Sequence, residues 1–292
     1  MIKGVIPAII TPVTESGELN VTALEGLIEK LISEGADGFY VCGATGEGLI
    51  LTKDVHKAMV RETVRITNGR VPTIVHVART DFLEMLELAR YAEQVGAYAI
   101  SAIPPIFYKY GEEEIYKYYE RLCAEVNIPV VIYNNPNTGV TFSQGLLKRL
   151  FSIENLTAIK WTNYDFAMVL RVKRELPDFN FINGPDEMLL FGLMAGCDAG
   201  IGTTYNFLMP EIRAIYDNFR AGNYEQARLI QSYVDTVIGV LLGGGNIIVM
   251  TKFILSRMGL DTYHALAPTA KLTAEAEEKL LADLRAVGFD IN

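Results

Sequence analysis

Eight short apolar runs recur along the chain, separated by longer stretches of helical period, and this alternation limits the fold more than any other feature. The runs are GVIPAII (4–10), GFYVCG (38–43), PTIVHVA (72–78), AYAISAI (97–103), PVVIYN (129–134), LTAIKW (156–161), FNFING (179–184) and AGIGTT (199–204). Each has the length of a strand, and each is nearly continuous in apolar residues, as a strand buried on both faces must be. Helix-like stretches such as VTALEGLIEKLISEG (21–35) and DFLEMLELARYAEQVG (81–96) lie between them. In the second, Phe82, Leu86, Ala89 and Ala92 share one helical face. Gly35, Gly96 and Gly196 stand where helices should stop before the next strand. Strand and helix alternating eight times predict an α/β chain with a parallel sheet, most simply a (β/α)₈ TIM barrel. A doubly wound open sheet is the alternative. It usually carries a glycine-rich first turn, whereas the first run here leads into Thr11-Pro12.

The strand signal ends near residue 205, and residues 209–292 read as entirely helical, which is more than an eighth helix needs. The expected organisation is a barrel over 1–222 with a C-terminal helical extension, 223–292, packed on it. A length of 292 residues with half of them hydrophobic suits that architecture. A formal charge of −9, with no basic stripe, argues against nucleic-acid or anionic membrane partners. The opening MIKGVIPAIITPV contains Pro7 and Pro12 and reads as a first strand, not a leader. Residues 236–251 carry no charge, but they fall short of the roughly 20 residues a membrane span needs and include Gly243-Gly244-Gly245. Packed helix and turn are expected there. Cys42, Cys123 and Cys197 form no C-x-x-C pair, so they read as free thiols in a reducing cytoplasm.

In a barrel, reactive side chains sit where strands end and loops begin. Lys160 ends the sixth run, in LTAIKWTN. If its side chain faces the barrel axis, so does that of Thr162, while Ile159 and Trp161 face the helices. An amine held there among apolar side chains loses solvation of its charged form, which favours a neutral nucleophile able to attack a ketone. A lysine snorkelling to a carboxylate would read the same from this residue alone. Tyr133 is in phase with Val131 and can point inward from the neighbouring strand, as a proton carrier or as a core tyrosine with a satisfied hydroxyl. The loop GATGEG (43–48) can hold a carboxylate on backbone N–H groups and the Thr45 hydroxyl, although a plain tight turn has the same composition. It matches neither a Walker loop nor G-x-G-x-x-G. His56, His76 and His264 show no metal-ligand spacing and read as structural.

Taken together, G-A-T-G-E at 43–47, Y-N-x-P at 133–136 and Lys160 resemble the pyruvate-dependent aldolase family that includes N-acetylneuraminate lyase and dihydrodipicolinate synthase. The resemblance covers essentially the whole chain. It implies that Lys160 forms a Schiff base with a 2-oxo acid, that Tyr133 transfers protons, and that Ala44 and Thr45 bind the substrate carboxylate. It also implies a cytoplasmic homotetramer that uses no metal or organic cofactor. N-G-P-D-E at 183–187, A-G-I-G-T-T-Y-N at 199–206 and K-W-T at 160–162 resemble the neuraminate lyase branch. On that resemblance Thr162, Gly184, Asp186, Glu187 and Thr203 contact the hydroxyl tail of a sugar 2-oxo acid, N-acetylneuraminate first among them. The synthase pattern has an arginine shortly after Y-N-x-P, and YNNPNTGV has none.

Three departures stand out. Ala44 replaces the usual Ser or Thr, so backbone must supply that contact. Phe107 or Tyr108 occupies the position of a tyrosine often found after the fourth strand. The loop after Tyr133 is also short. The alternatives are an aldolase of 2-keto-3-deoxy sugar acids, a synthase-like condensing enzyme, and a catalytically silent sensor or structural relative. The presence of both Lys160 and Tyr133 counts against the last.

Overall fold

The computed structural model describes residues 1–291, so Asn292, at the end of the expected extension, lies outside the described residues. All eight runs contain strands: β1 Gly4–Pro7, β2 Phe39–Val41, β3 Thr73–His76, β4 Ala99–Ala102, β5 Val130–Asn134, β6 Leu156–Trp161, β7 Asn180–Asn183 and β8 Ala199–Gly202. They pair in parallel, each with its sequence neighbour, and β1 pairs with β8. A parallel bridge between Ala8 and Tyr40 joins β1 to β2 and closes the ring. The chain is therefore a (β/α)₈ barrel, and the open-sheet alternative falls because its two edges are paired. Apart from Thr157, every strand residue is buried, which explains why the runs show no polar alternation.

Outside the strands lie α1 Val21–Ser33, α2 Lys53–Thr67, α3 Phe82–Gln94, α4 Glu112–Cys123, α5 Gln144–Leu150, α6 Phe166–Glu175, α7 Leu189–Met194 and α8 Met209–Arg220. The loops end on residues that accept from the first helical N–H groups: Asn20 for α1, Thr52 for α2, Asp81 for α3, Ser143 for α5 and Asp165 for α6. On α3 the inward face is Met85, Leu86, Leu88, Ala89 and Ala92, with Phe82 half-buried at its edge. The expected stops hold, since Gly35, Gly96 and Gly196 all have positive φ.

Three further helices follow: α9 Tyr224–Gly244, α10 Ile247–Arg257 and α11 Ala274–Ala286. The expectation of helix throughout 209–292 fails between α10 and α11. Gly259 adopts φ +93° and stops α10, and Pro268 supplies no backbone donor, so residues 258–273 run as an irregular strap. Thr262 ties the strap down by donating to the Lys252 carbonyl at 2.8 Å. No single helix among the described residues is long and apolar enough to cross a membrane. α9 and α10 would be together, but they meet at 116° around the glycine run.

Candidate active site

β5 and β6 run in a register that pairs Tyr133 with Lys160. Both side chains point into the barrel and are buried, at 4% and 5% exposure. The Lys160 Nζ lies 4.2 Å from the centre of the Tyr133 ring and 4.9 Å from that of Tyr40. Among the described residues, no carboxylate forms an ion pair with this nitrogen, so the reading of a lysine snorkelling to a carboxylate does not hold here. A buried lysine normally has a partner. This one has two aromatic faces instead.

The rings around it are fixed. Tyr40 reaches across the barrel from β2 and donates to Ser101 Oγ on β4 at 3.0 Å. Tyr133 packs edge-on against Tyr40 and His76, with centroids 6.0 and 5.9 Å apart. Its hydroxyl accepts from Asn135 Nδ2 at 3.2 Å. His76 uses both ring nitrogens: Nδ1 lies 3.2 Å from the Cys42 carbonyl, and Nε2 accepts from Ile103 N–H at 3.3 Å. Burial, reinforced by the charges of His56 and Lys160, pulls its pKa down to about 3. His76 is therefore neutral at physiological pH, with both nitrogens occupied, and does not compete with Tyr133 as a proton carrier. His56 is likewise buried and bonded to the His76 carbonyl.

The GATGEG loop follows β2 and is more than a plain turn. Cys42, immediately before it, and Glu47, within it, are non-glycine residues in left-handed conformations, φ +57° and +55°. Such strain persists only where the surroundings over-determine it. A Cβ on Gly48 would meet the Cys42 carbonyl oxygen at 1.6 Å, so only glycine permits the fold-back. Thr11 Oγ1 donates to the Gly46 carbonyl at 2.6 Å, and Thr45 and Thr203 share a 2.6 Å hydroxyl contact. Among the described residues, the Ala44 and Thr45 N–H groups find no protein acceptor, and Ala44 is exposed. Adjacent free N–H groups of this kind form a nest for an anion.

Thr162, Gly184, Asp186, Glu187 and Thr203 come together around a cavity of about 280 Å³ beyond the strand ends. A Cβ on Gly184 would lie 2.1 Å from Thr162 Oγ1, a buried hydroxyl with no protein partner. Asp186 is not the solvated carboxylate of a simple strand end. It is 9% exposed, and Thr204 donates to its Oδ2 from both N–H and Oγ1 at 2.7 Å. Burial nevertheless raises its pKa from the usual 3.8 to about 6, against the opposing pull of the Thr204 bonds. Glu187 accepts from the Tyr164 hydroxyl at 2.5 Å.

The raised pKa means the native state binds the Asp186 proton more tightly than the unfolded state. Its stabilising contribution is complete below pH ~4 and is lost as pH rises through about 6. Asp186→Asn should therefore gain about 2–3 kcal/mol relative to wild type between pH 4 and pH 7. Urea unfolding at the two pH values measures this, and an unchanged difference would show that the carboxyl titrates as if exposed.

Several residues around Lys160 or the cavity have no sequence signal. Tyr40 lies inside an apolar run, and only the closed barrel brings it over Lys160. Ile238, Leu242 and Ile247 form one wall of the cavity and come from α9 and α10. Tyr164 and Pro136 complete the rim. Phe107 and Tyr108 stack edge-on with each other, 90% and 69% exposed, and neither lines the cavity.

A closed barrel with its polar and reactive side chains gathered at the strand ends defines a (β/α)₈ enzyme. The chain belongs to the Dihydrodipicolinate synthetase family, which it matches over residues 1–287. It is a class I pyruvate-dependent aldolase or lyase, as members of that family are. N-acetylneuraminate lyase of Rhizobium meliloti is 32% identical over 97% of this chain and 93% of its own length. 4-Hydroxy-tetrahydrodipicolinate synthase of Acetivibrio thermocellus is 33% identical over 97% of this chain and 96% of its own. The crystal structure of CdNal from Clostridium difficile in complex with mannosamine superposes with a TM-score of 0.94 at 28% identity, covering 98% of this chain and 99% of that one.

Proposed function

We propose that the protein cleaves a sugar 2-oxo acid, N-acetylneuraminate first among them, into pyruvate and an aldehyde through a Schiff base on Lys160. The observation that carries this reading is the unpaired Lys160 nitrogen in register with Tyr133. The amine attacks the C2 carbonyl, water leaves, and an iminium forms. The free N–H groups of Ala44 and Thr45 hold the substrate carboxylate. Tyr133, assisted by that carboxylate, takes the proton of the C4 hydroxyl. The C3–C4 bond breaks, its electron pair enters the iminium to give an enamine, and the aldehyde departs. Protonation at C3 and attack by water then release pyruvate and restore the amine. Thr162, Gly184, Asp186, Glu187 and Thr203 face the tail.

The branch is argued from charge. The cavity carries two carboxylates, Asp186 and Glu187, and no basic side chain lines it. A hydroxyl-rich neutral tail can donate to them, whereas a tail ending in a carboxylate is repelled, and an unpaired charge in such a site costs several kcal/mol. Pyruvate release from N-acetylneuraminate should therefore exceed condensation of pyruvate with aspartate semialdehyde. The reverse order would assign the protein to the synthase branch. Cleavage only of a shorter 2-keto-3-deoxy sugar acid would keep the mechanism and change the substrate.

The same reading includes a cytoplasmic homotetramer. Leu49, Ile50, Phe107 and Tyr108 are exposed apolar side chains in loops at the strand ends, which supports their being covered by another copy. Three buried free cysteines accord with a reducing compartment.

A further inference from the structure

The most deeply buried charged residue among the described residues, Lys252, lies outside the cavity. Lys252, on α10, is 1% exposed, and its ammonium forms an ion pair with Glu47, 5% exposed, in the GATGEG loop. The same nitrogen donates to the His264 carbonyl at 3.1 Å, and the Lys252 carbonyl accepts from Thr262. Glu47 is the residue held at φ +55°, and its N–H donates to the Ala44 carbonyl at 3.0 Å. A side chain of the C-terminal layer thus grips the strained corner of the loop, three residues from the free Ala44 N–H. Replacing a buried pair by apolar groups often leaves stability unchanged, so stability alone is weak grounds for keeping one.

We propose that Lys252 and Glu47 are positioning residues, whose ion pair holds the 43–48 loop so that the Ala44 and Thr45 N–H groups converge on the substrate carboxylate. The pair touches no substrate. It acts by keeping a backbone nest in a conformation the loop would not hold alone. This inference rests on the function proposed above, because it takes the anion in the nest to be the carboxylate of a 2-oxo acid.

The test is borohydride trapping of pyruvate at increasing pyruvate concentration in wild type, E47Q and the double variant E47Q/K252M. The double variant removes both charges together and avoids stranding one of them. E47Q alone keeps the shape and most of the contacts if the double variant does not fold. The expected result is a half-saturating pyruvate concentration raised about tenfold to a hundredfold, with the trapping rate at saturation within threefold of wild type. A pair that only stabilises the fold would lower the melting temperature and leave half-saturation alone, and that result overturns the proposal. Equal losses in half-saturation and saturated rate overturn it too, since they would place the damage at Lys160. Wild-type protein that pyruvate does not trap removes the parent reading and this one together, whereas normal wild-type trapping with unchanged variants removes this one only.

Discussion

Lys160→Met should abolish pyruvate trapping and lower sugar-acid cleavage by about 10⁴-fold or more, while leaving the protein as stable as before or more so. The first half follows from the chemistry, because without the amine there is no electron sink. The second follows from the site. The Lys160 nitrogen has no counter-charge among the described residues and rests on two ring faces, at 4.2 and 4.9 Å. Each such contact contributes about 0.5–2 kcal/mol, and burying an ammonium costs several. Methionine fills nearly the same volume without that cost, so the variant should gain about 1–2 kcal/mol, as often happens when a strained functional group is removed. Thermal melts beside the trapping assay check both halves. A variant that loses several degrees of melting temperature would show that the lysine is part of the scaffold, and residual trapping at another lysine would show that the wrong amine has been named.

Tyr133→Phe should lower cleavage by about 10²–10⁴-fold, the range expected for loss of a general acid–base group. Phenylalanine keeps the ring that supports Lys160 and packs against Tyr40 and His76. Only the hydroxyl goes, and with it the acceptor for Asn135 Nδ2, a half-buried group that water can satisfy. Trapping should therefore fall much less than cleavage, and the ratio of the two is the informative quantity. His76 cannot take over the proton, because it is neutral with both nitrogens engaged. Near-normal cleavage would mean that another group carries the proton and that Tyr133 is core.

The fold was legible because a buried parallel strand leaves a plain mark, a short apolar run with a stop before it. All eight runs contain a strand, and the glycine stops are where they were expected. Lys160 and Tyr133 were legible as side chains because strand alternation is rigid. Their unpaired state was not, since that depends on what the opposite wall of the barrel supplies. Asp186 shows the limit: its burial and its two donors from Thr204, a residue on another strand's loop, depend on the closed barrel. Lys252 directly follows the charge-free run 236–251, in an apolar helix whose other charge, Arg257, stands at its end, and a lysine in mid-helix there was the available signal. The irregular strap at 258–273 was missed because amphipathic stretches on both sides masked a single glycine stop.

The apolar wall of the cavity, Ile238, Leu242 and Ile247, belongs to helices that contribute no strand to the barrel. On the function proposed above, Lys160 and Tyr133 are held in strands paired on both sides, whereas part of the shape that meets the departing aldehyde rests on a separate helical layer. Leu242 is 71% exposed, so it can change size at little cost in packing. On the function proposed above, directed evolution toward new aldehydes has its least constrained starting point at Leu242, because Ile238 beside it is buried in the core.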